Sequence, residues 1–200
     1  MTKSKVARRA IRNPKKGSWE MKRDPLVPVL VLLMISACTS SAAARQAPTG
    51  DQAELFGRGT VVQIGVVVKD IEKAAAAYAD FLGVAVPKWT WTDTEDKAHT
   101  RFKGKPSPAR AKLAFIELKN ITLELIEPDS NPSTWREFLD SKGEGVHHIA
   151  FEIKQMDDKI ALLGNKAMPL LQKGDYEGGR YAYIDGAAKL GLILELLENF

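Results

Sequence analysis

The hydrophobic pattern of residues 59–199 changes period in the same order twice. "VVQIGVVVKDIEKAAAAYADFLGV" (61–84) opens as an apolar run and continues with an alanine-rich helical pattern, which predicts a strand followed by a helix. Asp70 is placed to cap that helix, Ala74 to Ala77 favour it, and Gly83 ends it. "VHHIAFEIKQMDDKIALLGNKAM" (146–168) repeats these signals. Setting Gln63 on His148 puts Ile64 on Ile149, Lys69 on Lys154 and Ile71 on Met156. Further on, "ITLELIEP" (121–128) and "LILELLEN" (192–199) set Glu124 on Glu195. The spacing predicts two copies of one unit, modules 59–128 and 145–199, within a single domain over 59–199. Further strands are expected near 85–91, 97–103, 111–119 and 121–127 in the first copy, and near 169–173, 180–185 and 191–198 in the second. A linker helix is expected near 133–141, with Thr134 and Glu137 as a capping box.

Alternation along the strands assigns faces. Thr122, Glu124 and Ile126 share one face; so do Val61, Gln63, Gly65 and Val67; so do Val146, His148, Ala150 and Glu152. On this alternation His147 points to the opposite face from His148. A carboxylate inside an apolar run is costly to bury unless something compensates it. Two sheets that curve toward each other bring Gln63, Glu124, His148 and Glu195 together. Four such oxygen and nitrogen donors suit one divalent ion of the Zn, Ni, Co or Mn kind, and the ion compensates the glutamates.

Charge changes the picture only at the N-terminus. The net +4 suggests nucleic acid, but residues 1–20 carry seven Lys/Arg and one acid, leaving 22 basic against 24 acidic residues, or −2, in the remainder. The body is therefore not expected to bind nucleic acid. Residues 1–20 are a basic extension that fits no ordinary signal, which suggests that Met21 is the true start. Residues 21–38 place Lys22 and Arg23 before an apolar run too short to span a membrane, ending in "ISAC". This segment resembles a bacterial lipoprotein signal with Cys38 as the lipidated residue. Cys38 is the only cysteine. Residues 39–58 are small and polar, a flexible tether. The expected location is the bacterial cell envelope, lipid-anchored and facing the periplasm or exterior, and cytoplasmic if that segment is not a signal. The body has no thiol chemistry of its own.

Over residues 59–199 the order "VVQIGVVVKD", "LELIEP", "GVHHIAFEI", "LILELLE" resembles the vicinal-oxygen-chelate superfamily, also called the glyoxalase/bleomycin-resistance/dioxygenase superfamily. The text is nearest its methylmalonyl-CoA epimerase-like members; the ligand set Gln/Glu/His/Glu is similar to that of one class of glyoxalase I. The resemblance implies an α+β fold of two repeated βαβββ modules in one open cup-shaped mixed sheet. It implies Gln63, Glu124, His148 and Glu195 as ligands of one divalent metal. Glu195 is then the first candidate base and Glu124 the second, in a metal-stabilised enediolate mechanism of isomerase, epimerase or lyase type on a small oxygen-chelating substrate. Gln63 stands where the family more often has His, and the chain has three histidines, His99, His147 and His148. This disfavours the two-His, one-carboxylate dioxygenases. Trp89, Trp91, His99, Arg101 and Arg180 lie where such proteins build substrate contacts. The alternative is a non-catalytic cup that sequesters a small ligand, as bleomycin-resistance members do. With both modules in one chain, a monomer or a homodimer suffices.

Overall fold

The structure is a computed structural model and describes residues 59–200. The basic extension, the signal-like segment with Cys38 and the tether all lie outside the described residues. The elements run β1 (Val61–Val67), α1 (Ile71–Leu82), β2 (Trp89–Trp91), α2 (Glu95–Ala98), β3 (Arg101–Phe102), β4 (Lys105–Pro106), β5 (Ala111–Glu117) and β6 (Thr122–Pro128). After α3 (Thr134–Lys142) come β7 (Gly145–Glu152), α4 (Met156–Asn165), β8 (Leu170–Tyr176), β9 (Gly179–Asp185), α5 (Ala187–Leu190) and β10 (Ile193–Asn199).

Ten strands form one mixed sheet in the order β2-β5-β6-β1-β7-β10-β9-β8-β3-β4. Each half is built alike. β1 pairs parallel with β6, with Gly65 opposite Glu124. β7 pairs parallel with β10, with Ala150 opposite Glu195. Gly65 stands two residues after Gln63, and Ala150 two after His148, so the two registers repeat. The halves join at the antiparallel pair β1–β7, with Gly65 opposite His148 and Gln63 opposite Ala150.

Each half buries its outer sheet face under its own helix. α1 covers Val66, Ala114, Ile116 and Leu125. α4 covers Ala182, Ile184, Leu194 and Leu196. Asp70 caps α1 by accepting from the Lys73 N–H at 3.1 Å, and Gly83 ends it at φ 67°. The repeated strings also carry a second glutamate pair that serves these helices. Glu127 Oε2 accepts from the Ile71 N–H at 2.8 Å, and Glu198 Oε2 accepts from the Met156 N–H at 3.4 Å. A carboxylate at a helix N-terminus meets both the free N–H groups and the positive end of the dipole.

Three local expectations are corrected. Residues 85–88 are not strand, because β2 pairs with β5 only over Trp89–Trp91. Residues 97–103 divide into the end of α2 and the two-residue β3, which pairs with β8 of the other half; the first module thus straps the second. The cap of α3 is Ser133, whose Oγ accepts from the Arg136 N–H at 3.1 Å. Thr134 is turned inward, and its N–H donates to Gln172 Oε1 at 2.9 Å. The third core cluster, on the inner sheet face, packs Trp135 and Leu139 of α3 against Val67, Ala111, Ile126 and Tyr183. The linker helix therefore closes one end of the cup.

Candidate metal centre

The parallel and antiparallel registers place Glu124 of β6, Gly65 of β1 and His148 of β7 on one cross-strand rung. Gln63, Ala150 of β7 and Glu195 of β10 form the next rung. With side chains alternating, all four expected donors emerge on the inner face. Glu124, His148 and Glu195 offer ligand atoms that lie within 4.8 Å of one another, and all three residues are buried. His148 Nε2 stands 3.0 Å from Glu195 Oε2 and 3.5 Å from Glu124 Oε2. None of these three atoms makes a hydrogen bond of good geometry. Three orphaned polar atoms aimed at one point are what a cation's donor set looks like, and buried orphans of this kind require an explanation. The half-buried Gln63 hydrogen-bonds the Glu124 carboxyl, which brings it to the edge of the same cluster.

The electrostatics agree. Burial first, and the Glu195 charge second, push Glu124 up from 4.5 to about 8. For His148 burial acts to lower the pKa, but the Glu195 and Glu124 carboxylates outweigh it and the net shift is upward. Two carboxylates forced together in a dry site resist ionising. A divalent cation relieves that repulsion, so the donor set and its charge state both fit a metal.

Gly65 makes the arrangement possible. A Cβ at this position would lie 2.0 Å from His148 Cε1, so the imidazole rests directly on the strand backbone. A lone glycine within a strand often marks such an approach. Gly65→Ala is expected to displace His148, costing roughly 1–3 kcal/mol of stability. It should also weaken zinc binding by about 10–100-fold, the scale of losing a residue that orients a ligand. Thermal denaturation and zinc titration of the variant check both.

The expectation that His147 points away from His148 is overturned. The β1–β7 register shifts between Gly65 and Val66, so that His148 pairs with Gly65 and Val146 with Val66. His147 is the extra residue of this bulge, and a bulge breaks strict alternation. Its Nδ1 lies 3.0 Å from His148 Nδ1, and both rings pack against Tyr183, at 5.2 and 5.0 Å between centroids. Tyr183 is the register partner of Glu195, and its Oη accepts from Trp135 Nε1 at 3.1 Å. Gly65, His147, Tyr183 and Trp135 thus support the site, although the pattern of polar residues did not mark them. The glycine inside "VQIGVVV" was the one available signal.

The expected substrate-contact residues are not brought to the cluster. Trp89 and Trp91 lie on the α1 side: Trp89 Nε1 donates to Glu72 Oε1 at 3.3 Å, and both rings flank Lys112. The inward residue of β2 is Thr90, which faces Leu113 in the register. His99 is exposed, its Nδ1 2.8 Å from Asp175 Oδ2. Arg101 is exposed on β3. Arg180 is held by Glu198 and Asp157 at 2.6 and 2.9 Å on the α4 side. Alternation places Phe115, opposite Glu124, and the exposed Glu152 on the inner face instead. Tyr176, whose ring lies over Gly179, is near enough to feel the charges of Glu195 and Glu152.

Comparison with known proteins agrees with this architecture. Over 138 residues the chain is 28% identical to the protein YqjC of Bacillus subtilis (strain 168), spanning 68% of this chain and 89% of that one. Over 123 residues it is 26% identical to the mitochondrial methylmalonyl-CoA epimerase of Bos taurus, spanning 60% of this chain and 61% of the relative's length. The crystal structure of the hypothetical protein BH1468 from Bacillus halodurans C-125 superimposes with a TM-score of 0.51 at 21% identity, covering 71% of this chain and 95% of that one. This likeness carries the fold. The sequence profile of the Glyoxalase/Bleomycin resistance protein/Dioxygenase superfamily matches residues 62–183, more than half of the chain, and the chain belongs to that superfamily.

Proposed function

We propose that the protein is a metal-dependent isomerase of the epimerase type, moving a proton at the carbon beside a carbonyl of a small oxygen-chelating substrate. The observation that carries this is the buried trio Glu124, His148 and Glu195, with unpartnered atoms converging from both modules. The likeness to methylmalonyl-CoA epimerase points the same way; since the chain spans about 61% of that enzyme's length, its activity is carried over as part of the proposal.

Glu124, His148, Glu195 and Gln63 would hold one divalent ion. When bound, the ion supplies a Lewis acid to substrate oxygens and a counter-charge for the two carboxylates. The chain's own residues do the rest. The α3 end of the cup, sealed by Trp135, Leu139 and Tyr183, keeps water from that side. Substrate enters over Phe115, Glu152 and Tyr176. Glu195 would take the proton and return it to the same face; return to the other face would require Glu124 to start protonated and give up its own proton while Glu195 keeps the one it took. A lipid anchor at Cys38, proposed from the leader alone, would put the domain outside the cytoplasm. Coenzyme A thioesters are largely absent there, so the substrate is specified by its chemistry.

The test is α-proton exchange with solvent deuterium. Methylmalonyl-CoA and a set of 2-oxo and 2-hydroxy carboxylates are incubated with the chain, with and without Zn, Ni, Co or Mn. Metal-dependent exchange of at least one compound is expected. Tight binding of a planar apolar ligand by metal-free protein, with no exchange of any compound, would contradict the proposal.

A further inference from the structure

We propose that His147 is a positioning residue: its Nδ1 accepts the Nδ1–H of His148 and so fixes the His148 ring with Nε2 facing Glu124 and Glu195. Two observations lead here. The two Nδ1 atoms are 3.0 Å apart, a hydrogen-bond distance that needs a proton on one and a lone pair on the other. His148 Nε2 is directed at two carboxylate oxygens. If Nε2 offers a lone pair to a cation, the single proton of neutral imidazole sits on Nδ1; if His148 is an imidazolium, Nδ1 carries a proton as well. Donation from His148 to His147 holds in both of these cases; the remaining form, neutral with the proton on Nε2 toward Glu195, reverses the bond and is the form the proposal predicts against.

His147 is built for the accepting role. It is 2% exposed, sits on the bulge that turns it toward its neighbour, and is clamped edge-on by Phe138 of α3 and by Tyr183. Its Nε2, which carries the ring proton when Nδ1 accepts, is buried near the Thr134 backbone without a hydrogen bond of good geometry. The bulge and the linker helix thus act on the candidate ligand through one imidazole. Without an acceptor, the buried His148 Nδ1–H would be orphaned, and the tautomer with its proton on Nε2 would gain population.

Nitrogen-15 NMR of the ring-labelled full chain tests this, recorded with and without zinc. Expected is a proton on His148 Nδ1 with scalar coupling across the hydrogen bond to His147 Nδ1, in both states. His147→Phe should abolish the coupling and raise the zinc Kd by about 10–100-fold, as loss of a group orienting a ligand does. His147→Asn places Oδ1 where Nδ1 was and should restore most of the affinity; His147→Gln should not. Observing His148 Nδ1 unprotonated, or equal affinities for the Phe and Asn variants, would overturn the proposal. The hydrogen-bond measurement does not require metal, so it stands apart from the failure of the metal reading. If His147→Phe does not fold, the coupling in the wild type and the comparison of Asn with Gln decide.

Discussion

Glu195→Gln is expected to keep the ion and to lose α-proton exchange by about 100-fold or more, the scale of a positioned general base. Gln preserves size and an oxygen donor but cannot take a proton at neutral pH. Glu195 is 3% exposed and lies in the middle of β10, so its side chain is fixed by the strand and the substitution does not disturb the sheet. Exchange and metal content measured on the same preparation separate two roles. Ion retained and exchange lost makes Glu195 the base. Ion and exchange lost together makes it a ligand only and moves the base to Glu124.

The second large effect concerns stability. In metal-free protein Glu124 titrates at about 8 rather than 4.5 because of burial and then the charge of Glu195. The folded state therefore holds a proton that the unfolded chain has already released above about pH 4.5. Stability contributed in this way is complete below pH 4.5 and falls between there and pH 8, by up to about 1.4 kcal/mol per pH unit for one proton. His148 acts in the same direction: its raised pKa stabilises below its ordinary value of 6.5, and the contribution is lost as pH climbs through the folded value. Glu124→Gln removes the buried carboxyl. Metal-free variant should be more stable than wild type at pH 8, by on the order of a few kcal/mol, and the part of the slope due to Glu124 should vanish while that of His148 remains. The same variant should bind zinc at least about 10–100-fold more weakly. Denaturant melts of both proteins from pH 5 to 9, without and with zinc, read both effects. A wild type whose metal-free stability is flat across that range, or a Glu124→Gln no more stable than wild type at pH 8, would show that Glu124 is not the strained group.

Much of this was legible because the fold is a repeat. The offset that sets Glu124 on Glu195 also sets Glu127 on Glu198, and the offset that sets Gln63 on His148 also sets Ile71 on Met156, where each helix begins. Strand alternation then put Gln63, Glu124, His148 and Glu195 on the inner face. Legibility failed wherever local geometry departed from a strict period. A bulge turned His147 inward. The order of Trp89, Thr90 and Trp91 left the threonine, not the tryptophans, facing the cup, because a strand of three residues carries too little pattern to fix its register. Arg180 reads as an available cation in the sequence, but Glu198 and Asp157 lie across it in space. The role of α3 was also hidden: its apolar residues announce a packed helix, yet only the folded sheet shows that they close the end of the site.

We propose that Glu124, His148 and Glu195 form one cation site. The most direct measurement is metal content of the purified full chain after equilibration with zinc and removal of free ion, for wild type, His148→Ala and Glu195→Ala in parallel. One zinc per chain is expected for the wild type, with most of it lost in both variants. No zinc in the wild type, or equal zinc in all three proteins, would contradict the account.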